Sequence, residues 1–368
     1  MSTKKDKFST KDQLFMEIAL DLAKAREGLT HPNPSVGCVI TKNNEIISIG
    51  QTSVSGRPHA ELNAIKNSTV NLNGSTMYVT LEPCNHHGVS PPCTNAIIKS
   101  KISKVIYSIT DIDKRVKGKT FKILKSHNIK VRQGLLKEKI SQFYLPYFFN
   151  KKKKLPYVSG KIAITKNNLI YSKNNKKITN FKSDKLTHFL RYKNDSILIS
   201  YKTLNKDNPK LNCRLKNMQK FSPKRIILDN KLKSNINSYI FKTANKKNTI
   251  FFYNEASNLK IIEFKKKKIK IIKAKLDSNK RFHILIVLRK LYNLGCRNII
   301  VEGGNELTKN LLKKKIFNQF YLFESQKKIS KSTEYKEFNG LNILKQKYKN
   351  SQKINSNFGN DKITLYKR

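Results

Sequence analysis

The sequence predicts an α/β protein of two domains, each built from a layered sheet with helices. Its 368 residues exceed the size at which single hydrophobic cores stop growing, about 250–300 residues. Short β-branched runs alternate with stretches of helical periodicity along the chain, which is typical of α/β layers. A lysine run followed by proline, NKKKKLP at 150–156, interrupts this alternation. We therefore expect one domain over residues 1–150 and a second over 151–368.

The first half of the chain supports this reading element by element. The local predictions rest on three kinds of pattern: apolar residues at helical spacing, an Asn-Asn turn between two apolar runs, and a proline pair before an apolar stretch. The expected elements are a helix over about 11–27, a hairpin over 36–49, a helix opened by His59, a strand over 77–81, a helix from the prolines at 91–92 and a strand over 105–109.

The second half repeats the alternation with shorter runs. Strands are predicted over 157–164, 196–200, 225–228, 249–253 and 298–301, and helices over 183–193 and 281–294. The second domain is therefore also expected to be α/β.

The charge balance is strongly basic, with 76 Lys and Arg against 24 Asp and Glu and a net charge of +52. Such a charge favours an anionic partner. The lysines are spread over the whole length among many Asn and Ile residues, which indicates overall residue usage rather than a nucleic-acid surface. We therefore expect no nucleic-acid partner, although the field would attract phosphorylated small molecules.

The five cysteines are an odd number, and the sequence shows neither a signal-peptide core nor an apolar run near 18 residues. We therefore expect a cytoplasmic protein without a membrane partner.

Four residues form a candidate metal centre. His59 and Glu61 precede Cys84 by about two dozen positions, and Cys93 follows a proline pair. One imidazole and two thiolates supply three zinc ligands and leave a fourth tetrahedral position for water, as in catalytic zinc sites. Zinc lowers the pKa of such a water to about 7. The pattern therefore predicts zinc held by His59, Cys84 and Cys93.

Glu61 is the carboxylate suited to proton transfer. Hydrolytic removal of an amino group needs a group that takes a proton from water and returns one to the departing ammonia. Taken alone, a His-x-Glu sequence is usually surface decoration and two separated cysteines are usually buried thiols. Their ordered combination favours a zinc-dependent deaminase with Glu61 as the catalytic residue.

These residues resemble the cytidine-deaminase-like zinc hydrolases, whose signature is H-x-E followed by P-C-x-x-C. Here the cysteines are separated by eight residues in TLEPCNHHGVSPPC. Together with THPNPSVGCVI at 30–40 and HAELNAI at 59–65, this longer loop is similar to the bifunctional deaminase/reductase family of riboflavin biosynthesis. The resemblance implies a three-layer α/β/α deaminase domain acting on 2,5-diamino-6-(phosphoribosylamino)pyrimidin-4-one.

The resemblance also bears on the loops around the metal centre. It implies that His86 or its neighbour His87 contacts substrate, with an ordinary loop histidine as the alternative. Asn33 has two interpretations as well, a hydrogen bond to substrate or shaping of its own loop. At 111–120 the chain reads DIDKRVKGKT, which keeps Asp111 and Gly118 but lacks the prolines of the family.

The second domain carries one useful motif, IIVEGGNELTKNLL at 299–312. An apolar strand ends at Glu302, two glycines allow close backbone approach, and a helix begins. This geometry suits a phosphate group, although a Gly-Gly turn is often only a tight turn. No G-x-G-x-x-G follows a strand, so the sequence does not support a Rossmann site.

The resemblance extends to this motif and implies a dihydrofolate-reductase-like α/β domain that uses NADPH to reduce the ribose of the deaminated product to a ribityl chain. The cofactor-binding residues it implies are Ala163, Lys177, Thr203, Asp207, Asn230, Gly304, Asn305, Glu306 and Leu307. The substrate-binding residues it implies are Asn175, Arg191, Leu211, Arg214 and Glu302. It also implies that copies of the chain pair through this domain.

Several departures keep alternatives open. The family's acid and glycine are missing from TKNNL at 165–169, an expected aromatic is Lys177, and Asn208 replaces an aspartate. One alternative is therefore a deaminase whose second domain reduces slowly or not at all. A nucleic-acid deaminase and a non-catalytic protein with a structural zinc are the two others.

Overall fold

The computed structural model describes residues 8–172, 177–267, 269–331 and 334–368. The chain divides into two compact units, Met1–Lys154 and Leu155–Arg368. The division falls inside the lysine-rich segment, because the last helix of the first unit continues through Lys153. In the described ranges, no helix is both long enough and apolar enough to cross a membrane.

The first unit contains five strands and five helices among the described residues. The strands are β1 (Gly37–Lys42), β2 (Glu45–Gln51), β3 (Thr76–Leu81), β4 (Lys104–Ile109) and β5 (Lys130–Gln133). The helices are α1 (Thr10–Ala25), α2 (Ala60–Asn67), α3 (Cys93–Lys99), α4 (Lys119–Ser126) and α5 (Lys137–Lys153).

The five strands form one sheet in the order β2-β1-β3-β4-β5. β1 pairs antiparallel with β2 and β3, and the other neighbours are parallel. Asn43 and Asn44 close the β1–β2 hairpin with φ of 51° and 64°, values that asparagine tolerates better than most residues. The predicted hairpin and the two predicted strands of this half are confirmed.

Helices cover both faces of this sheet. On one face, Tyr78 donates to Asp12 of α1 over 2.7 Å, and Tyr144 of α5 donates to the carbonyl of Ser35 over 2.8 Å. On the other face, Gly50 lies so close to α2 that a Cβ there would meet the carbonyl oxygen of Ala60. The unit is therefore a three-layer α/β/α structure, as expected.

The second unit contains more strands than the sequence predicts. They are β6 (Tyr157–Ile164), β7 (Leu169–Ser172), β8 (Ser196–Ser200), β9 (Lys224–Leu228), β10 (Thr249–Tyr253), β11 (Lys270–Lys273), β12 (Asn298–Val301), β13 (Gln319–Glu324), β14 (Tyr335–Glu337), β15 (Asn350–Lys353) and β16 (Lys362–Lys367). The helices are α6 (Phe181–Lys193), α7 (Tyr201–Asp207), α8 (Tyr239–Lys242), α9 (Asn258–Lys266), α10 (Ile284–Asn293), α11 (Asn305–Lys313) and α12 (Leu341–Lys347).

Nine of these strands form one sheet in the order β11-β10-β9-β8-β12-β6-β13-β16-β15. The strands from β11 to β13 are parallel, whereas β16 and β15 are antiparallel to their neighbours. β7 and β14 form a separate antiparallel pair. Because β8, β12 and β6 are adjacent and parallel, their carboxyl ends meet at one edge, which is where open α/β sheets place ligands.

Candidate active sites

Three predicted metal ligands converge in the first unit. His59 immediately precedes α2, Cys84 follows β3 and Cys93 is the first residue of α3. The His59 Nδ1 atom lies 3.5 Å from the Cys84 Sγ and 3.4 Å from the Cys93 Sγ. Among the described residues, this is the one group of three or more potential metal-ligating side chains that meets within 4.8 Å.

These separations fit a tetrahedral zinc ion. Zinc–nitrogen bonds of about 2.0 Å and zinc–sulfur bonds of about 2.3 Å place nitrogen and sulfur about 3.5 Å apart at the tetrahedral angle. The observed distances of 3.5 Å and 3.4 Å are close to that value. Three side-chain ligands leave one tetrahedral position open, which distinguishes a catalytic site from a structural one.

The backbone favours negative charge on Cys84. Cys93 is the first residue of α3, whereas Cys84 lies in the loop after β3. The Cys84 sulfur instead accepts the backbone N–H of Cys93 at 3.3 Å. Hydrogen bonds from the Cys93 thiol, from His59 and from this N–H lower the pKa of Cys84 despite its burial. The backbone N–H of Cys93, the first of α3, therefore stabilises the thiolate of Cys84 and not that of Cys93 itself.

Glu61 lies in the first turn of α2 with 4% of its surface exposed. Burial raises the pKa of this carboxyl, while the neighbouring His59 lowers it, and the balance stays above the usual value. The carboxyl also hydrogen-bonds the Cys93 thiol. A buried carboxyl with a raised pKa beside a metal centre is suited to act as both proton acceptor and proton donor.

Loops form the surroundings of this centre. The Asn33 amide donates to the carbonyl of Gly56 over 2.8 Å, so it does shape its loop. Arg57 donates to the hydroxyl of Ser90 over 2.6 Å, which links Arg57 to the loop between Cys84 and Cys93. His86 has a buried Nδ1 atom without a hydrogen-bond partner, whereas His87 is exposed. A buried imidazole nitrogen left without a partner is suited to accept or donate a bond to a ligand.

Glu82 is a residue of this site that the sequence analysis missed. Its carboxylate accepts the backbone N–H groups of Asp111, Gly118 and Thr120 at 3.1–3.3 Å. It therefore holds the 111–120 loop against the segment that carries Cys84. Asp111 is buried and accepts the Tyr147 hydroxyl at 3.0 Å. The acid directly before the Pro-Cys pair is visible in the sequence, but the N–H groups that it binds are 29, 36 and 38 residues away.

In the second unit, a cleft of about 870 Å³ lies at the carboxyl ends of β6, β8 and β12. This volume is at the upper end of the range for small-molecule sites, about 300–1,000 Å³. Among the residues named from the sequence, those lining the cleft are Ala163, Lys177, Thr203, Asp207, Glu302, Gly304, Asn305, Glu306 and Leu307.

The turn between β12 and α11 shapes one wall of this cleft. The backbone N–H of Gly304 donates to the Thr203 hydroxyl at 3.3 Å, and Thr308 closes the turn by donating to the carbonyl of Gly303 at 3.1 Å. A Cβ on Gly303 would come within 2.9 Å of Leu307. Gly303 therefore permits a close approach between this turn and α11, whose start faces the cleft, and such an arrangement suits phosphate oxygens.

Lys161 is a second residue that the sequence analysis missed. It lies on β6, lines the cleft, and has its Nζ 4.8 Å from the centroid of the Phe323 ring. Burial lowers the pKa of this lysine, while the carboxylate of Glu302 raises it, and the balance stays below the usual value. A lysine inside the otherwise apolar run YVSGKIAI was the signal. Lys161 is partly buried, and its side chain is available to a ligand in the cleft that it lines.

Other predicted residues lie outside the lining of the cleft. Arg191 pairs with Glu302, Arg214 is exposed and Leu211 is buried. The backbone carbonyl of Asn230 accepts the N–H groups of Asn254 and Glu255. Asn175 lies outside the described residues.

The departures from the family have local explanations in the structure. Thr165 bonds both Asn167 and the N–H of Leu169, so TKNNL forms a turn from β6 to β7. Lys177 pairs with Asp184 at 2.8 Å. Asn208 ends α7 with φ of 40°, and its side chain accepts the N–H of Tyr239 at 2.8 Å. The asparagine therefore caps a helix in a left-handed conformation.

Two family descriptions match the chain. Residues 9–109 match the cytidine and deoxycytidylate deaminase zinc-binding region, and residues 170–327 match the RibD C-terminal domain. The chain is 32% identical over 359 residues to the riboflavin biosynthesis protein RibD of Aquifex aeolicus, covering 97% of this chain and 98% of that protein. The diaminohydroxyphosphoribosylamino-pyrimidine deaminase of Buchnera aphidicola is 43% identical and covers 39% of this chain and 99% of its own length.

A solved structure from Thermotoga maritima has the same two-part organisation. It is described as a diaminohydroxyphosphoribosylaminopyrimidine deaminase/5-amino-6-(5-phosphoribosylamino)uracil reductase. The likeness has a TM-score of 0.81 and 27% identity, and it covers 97% of this chain and 98% of that one.

Proposed function

The chain belongs to the RibD family of riboflavin biosynthesis, and from that premise we propose that it catalyses two successive reactions. The first is hydrolytic deamination of 2,5-diamino-6-(5-phosphoribosylamino)pyrimidin-4(3H)-one to 5-amino-6-(5-phosphoribosylamino)uracil. The second is NADPH-dependent reduction of the ribose of that product to a ribityl chain. The observation that carries the proposal is the convergence of His59, Cys84 and Cys93 beside a buried Glu61.

We assign the deamination to residues 1–150 and the reduction to residues 151–368. The deaminase of Buchnera aphidicola supports this division, because 39% of this chain matches nearly all of that protein. The match to the RibD C-terminal domain, over residues 170–327, supports assigning the cleft of the second unit to the reduction.

His59, Cys84 and Cys93 would hold zinc in the first unit. When bound there, zinc supplies Lewis acidity that makes a water molecule acidic enough to attack at neutral pH. Glu61 takes the proton from the attacking water and delivers a proton to the departing amino group. Its burial keeps this carboxyl out of bulk solvent, and its raised pKa suits both halves of the transfer.

His86 and Asn33 complete the proposed deaminase site. The buried Nδ1 atom of His86 has an unmet hydrogen-bonding capacity that a polar group of the pyrimidine or its ribose can satisfy. Asn33 commits its amide nitrogen to Gly56, so its side-chain oxygen is the atom available to substrate.

Replacement of Glu61 by Gln tests the proton-transfer role. We expect one zinc per chain to remain and ammonia release from the diaminopyrimidine substrate to fall by at least about a thousandfold. Glu138→Gln, on an exposed position of α5, is the matched control and should deaminate normally. Loss of zinc from the Glu61 variant would show that this carboxylate is a ligand and not the proton carrier.

In the second unit, we propose that the cleft binds NADPH and the deaminated product. The start of α11, with Thr203 beside it, suits the phosphates of the cofactor, and five lysines line the cleft: Lys161, Lys177, Lys202, Lys206 and Lys336. We propose that Glu302 and Lys161, which line the cleft, contact the ribose of the substrate. We also propose that Arg214 and Arg191, the partner of Glu302, bind its phosphate.

NADPH oxidation that depends on the deaminated product tests this activity. A protein that releases ammonia but never oxidises NADPH would favour a deaminase with an impaired second domain. Ammonia release from tRNA, with none from the diaminopyrimidine, would favour a nucleic-acid deaminase instead. We also propose that both reactions occur in the cytoplasm. The lack of a disulfide among the five cysteines, all of which lie in the described ranges, supports this location.

A further inference from the structure

A short loop beside the cleft is held in place by one helix. Residues 211–214 follow α7, and both His188 and Arg191 of α6 contact this loop. Leu211 is buried with a positive φ of 54°, and the N–H of Cys213 donates to the Ser222 hydroxyl at 3.1 Å. A non-glycine residue with positive φ persists where the surrounding contacts determine the conformation.

His188 contributes the first of these contacts. Its Nδ1 atom accepts the backbone N–H of Arg214 at 3.3 Å. A histidine nitrogen can accept only when it carries no proton, so the imidazole is neutral with its proton on Nε2. Burial and the cations of Arg191 and Arg214 lower the pKa of His188 to about 4, which keeps the acceptor available at neutral pH.

Asn212 contributes the second set of contacts. Its backbone carbonyl accepts a hydrogen bond from Arg191 Nη1 at 3.1 Å, and its side-chain oxygen accepts one from Arg214 Nη1 at 3.1 Å. Arg191 is anchored in turn by two bonds to Glu302, at 2.7 Å and 2.8 Å. The backbone of Arg214 is therefore bonded to His188, and its guanidinium, on an exposed residue, is bonded to Asn212.

We propose that His188 and Asn212 are positioning residues that aim the Arg214 guanidinium at the phosphate of the reductase substrate. This inference rests on the proposed function, because it takes the phosphoribosyl group as the ligand. The exposed Arg214 keeps donors free after its bond to Asn212, and guanidinium groups bind phosphate through paired hydrogen bonds. Preorganising such a group reduces the entropy lost when ligand binds.

Binding of ribose 5-phosphate, measured by calorimetry with NADP⁺ present, tests this proposal without requiring turnover. We expect His188→Leu, which removes the acceptor, to weaken ribose 5-phosphate about tenfold and to leave ribose unchanged. His188→Asn places an oxygen at the same distance along the side chain and should restore affinity to within about threefold of the wild type. Asn212→Ala keeps the carbonyl that Arg191 needs and should weaken ribose 5-phosphate about threefold.

The affinity for NADP⁺ reports whether each variant remains folded. If His188→Leu fails to fold, the affinity of Asn212→Ala for ribose 5-phosphate still tests the proposal, because the Asn212 side chain is half-exposed. Equal losses for ribose 5-phosphate and ribose, or no loss in either variant, would overturn the proposal. A wild-type protein that binds ribose 5-phosphate in this way but never oxidises NADPH would instead refute the reductase activity and leave the positioning role intact.

Discussion

Arg191 and Glu302 form a two-pronged ion pair, with Nε 2.7 Å from Oε1 and Nη2 2.8 Å from Oε2. Both side chains are close to 90% shielded from solvent, at 11% and 12% exposure. Arg191 belongs to α6, and Glu302 directly follows β12. The pair therefore ties the helix that supports the 211–214 loop to the glycine turn of the cleft.

Replacement of Arg191 by Ala should destabilise the second unit by about 3 kcal/mol, because it leaves the Glu302 carboxylate shielded from water without a partner. Hydrogen exchange of the β12 amides, followed against urea concentration, measures this unit separately. Arg281→Ala is the control, since its pair with Glu306 is 3.8 Å apart and both side chains are mostly exposed. That change should cost less than about 1 kcal/mol. Equal effects of the two changes would contradict the importance given to the shielded pair.

Acid should weaken the same pair. Burial alone would raise the pKa of Glu302. The charges of Arg191 and Lys161 lower this pKa by more than burial raises it, so the value in the folded state lies below the usual one. A group with a depressed folded pKa stabilises above its unfolded pKa, about 4.3 for glutamate, and loses that contribution as pH falls through the folded value. At pH 7 the wild type should be more stable than Glu302→Gln, and this difference should shrink progressively as the pH falls below about 4.3. A constant difference across this range would refute the linkage.

Much of the metal centre could be predicted from sequence because its parts are local. His59 and Glu61 are two positions apart, and prolines precede both Cys84 and Cys93. The structure brings the predicted ligands together. Glu82 was missed because its role depends on backbone N–H groups 29, 36 and 38 residues further along the chain, which no local pattern reveals.

The second unit was harder to predict for a related reason. Its central strands carry apolar runs, so β8, β9, β10 and β12 were found, whereas the edge strand β15 has four exposed residues and no such pattern. His188 and Asn212 act through hydrogen bonds between a helix and a distant loop. The sequence allowed Asn33 either to bind substrate or to shape its own loop. Its bond to the carbonyl of Gly56 joins residues 23 positions apart, which no local pattern indicates.

Lys161 offers a prediction about reduction. Its ammonium lies in the cleft with the Glu302 carboxylate nearby, and burial lowers its pKa. Lys161→Met keeps most of the side-chain volume but removes the charge. A lost charged hydrogen bond is worth about 1.5–3 kcal/mol, so kcat/KM for NADPH-dependent reduction should fall about 10- to 150-fold.

Deamination by the same Lys161→Met preparation should be unchanged, since the metal centre belongs to the other unit. Lys166→Met, at an exposed position after β6, is the control and should reduce normally. Full reductase activity in the Lys161 variant would mean that this lysine contacts neither substrate nor cofactor.

Gly37 supplies a prediction about folding of the first unit. A Cβ at this position would lie 1.8 Å from the carbonyl oxygen of Ala19 and 2.9 Å from the backbone nitrogen of Ala23. Both are backbone atoms of α1, so no side-chain rotation can relieve the overlap. α1 would have to move away from β1, opening a core that contains Phe15, Met16 and Val39. Gly37→Ala should therefore cost more than about 4 kcal/mol, a loss that unfolds many domains.

Gly88→Ala is the matched control, because its added Cβ would meet only the end of the Arg57 side chain at 3.7 Å. Thermal unfolding followed by hydrogen exchange of the β1 amides distinguishes the two variants. Gly88→Ala should unfold within a few degrees of the wild type, whereas Gly37→Ala should lack protection in β1 at every temperature. Protected β1 amides in Gly37→Ala would mean that α1 can shift without loss of the core, and that the close approach of helix and strand is not required for this fold.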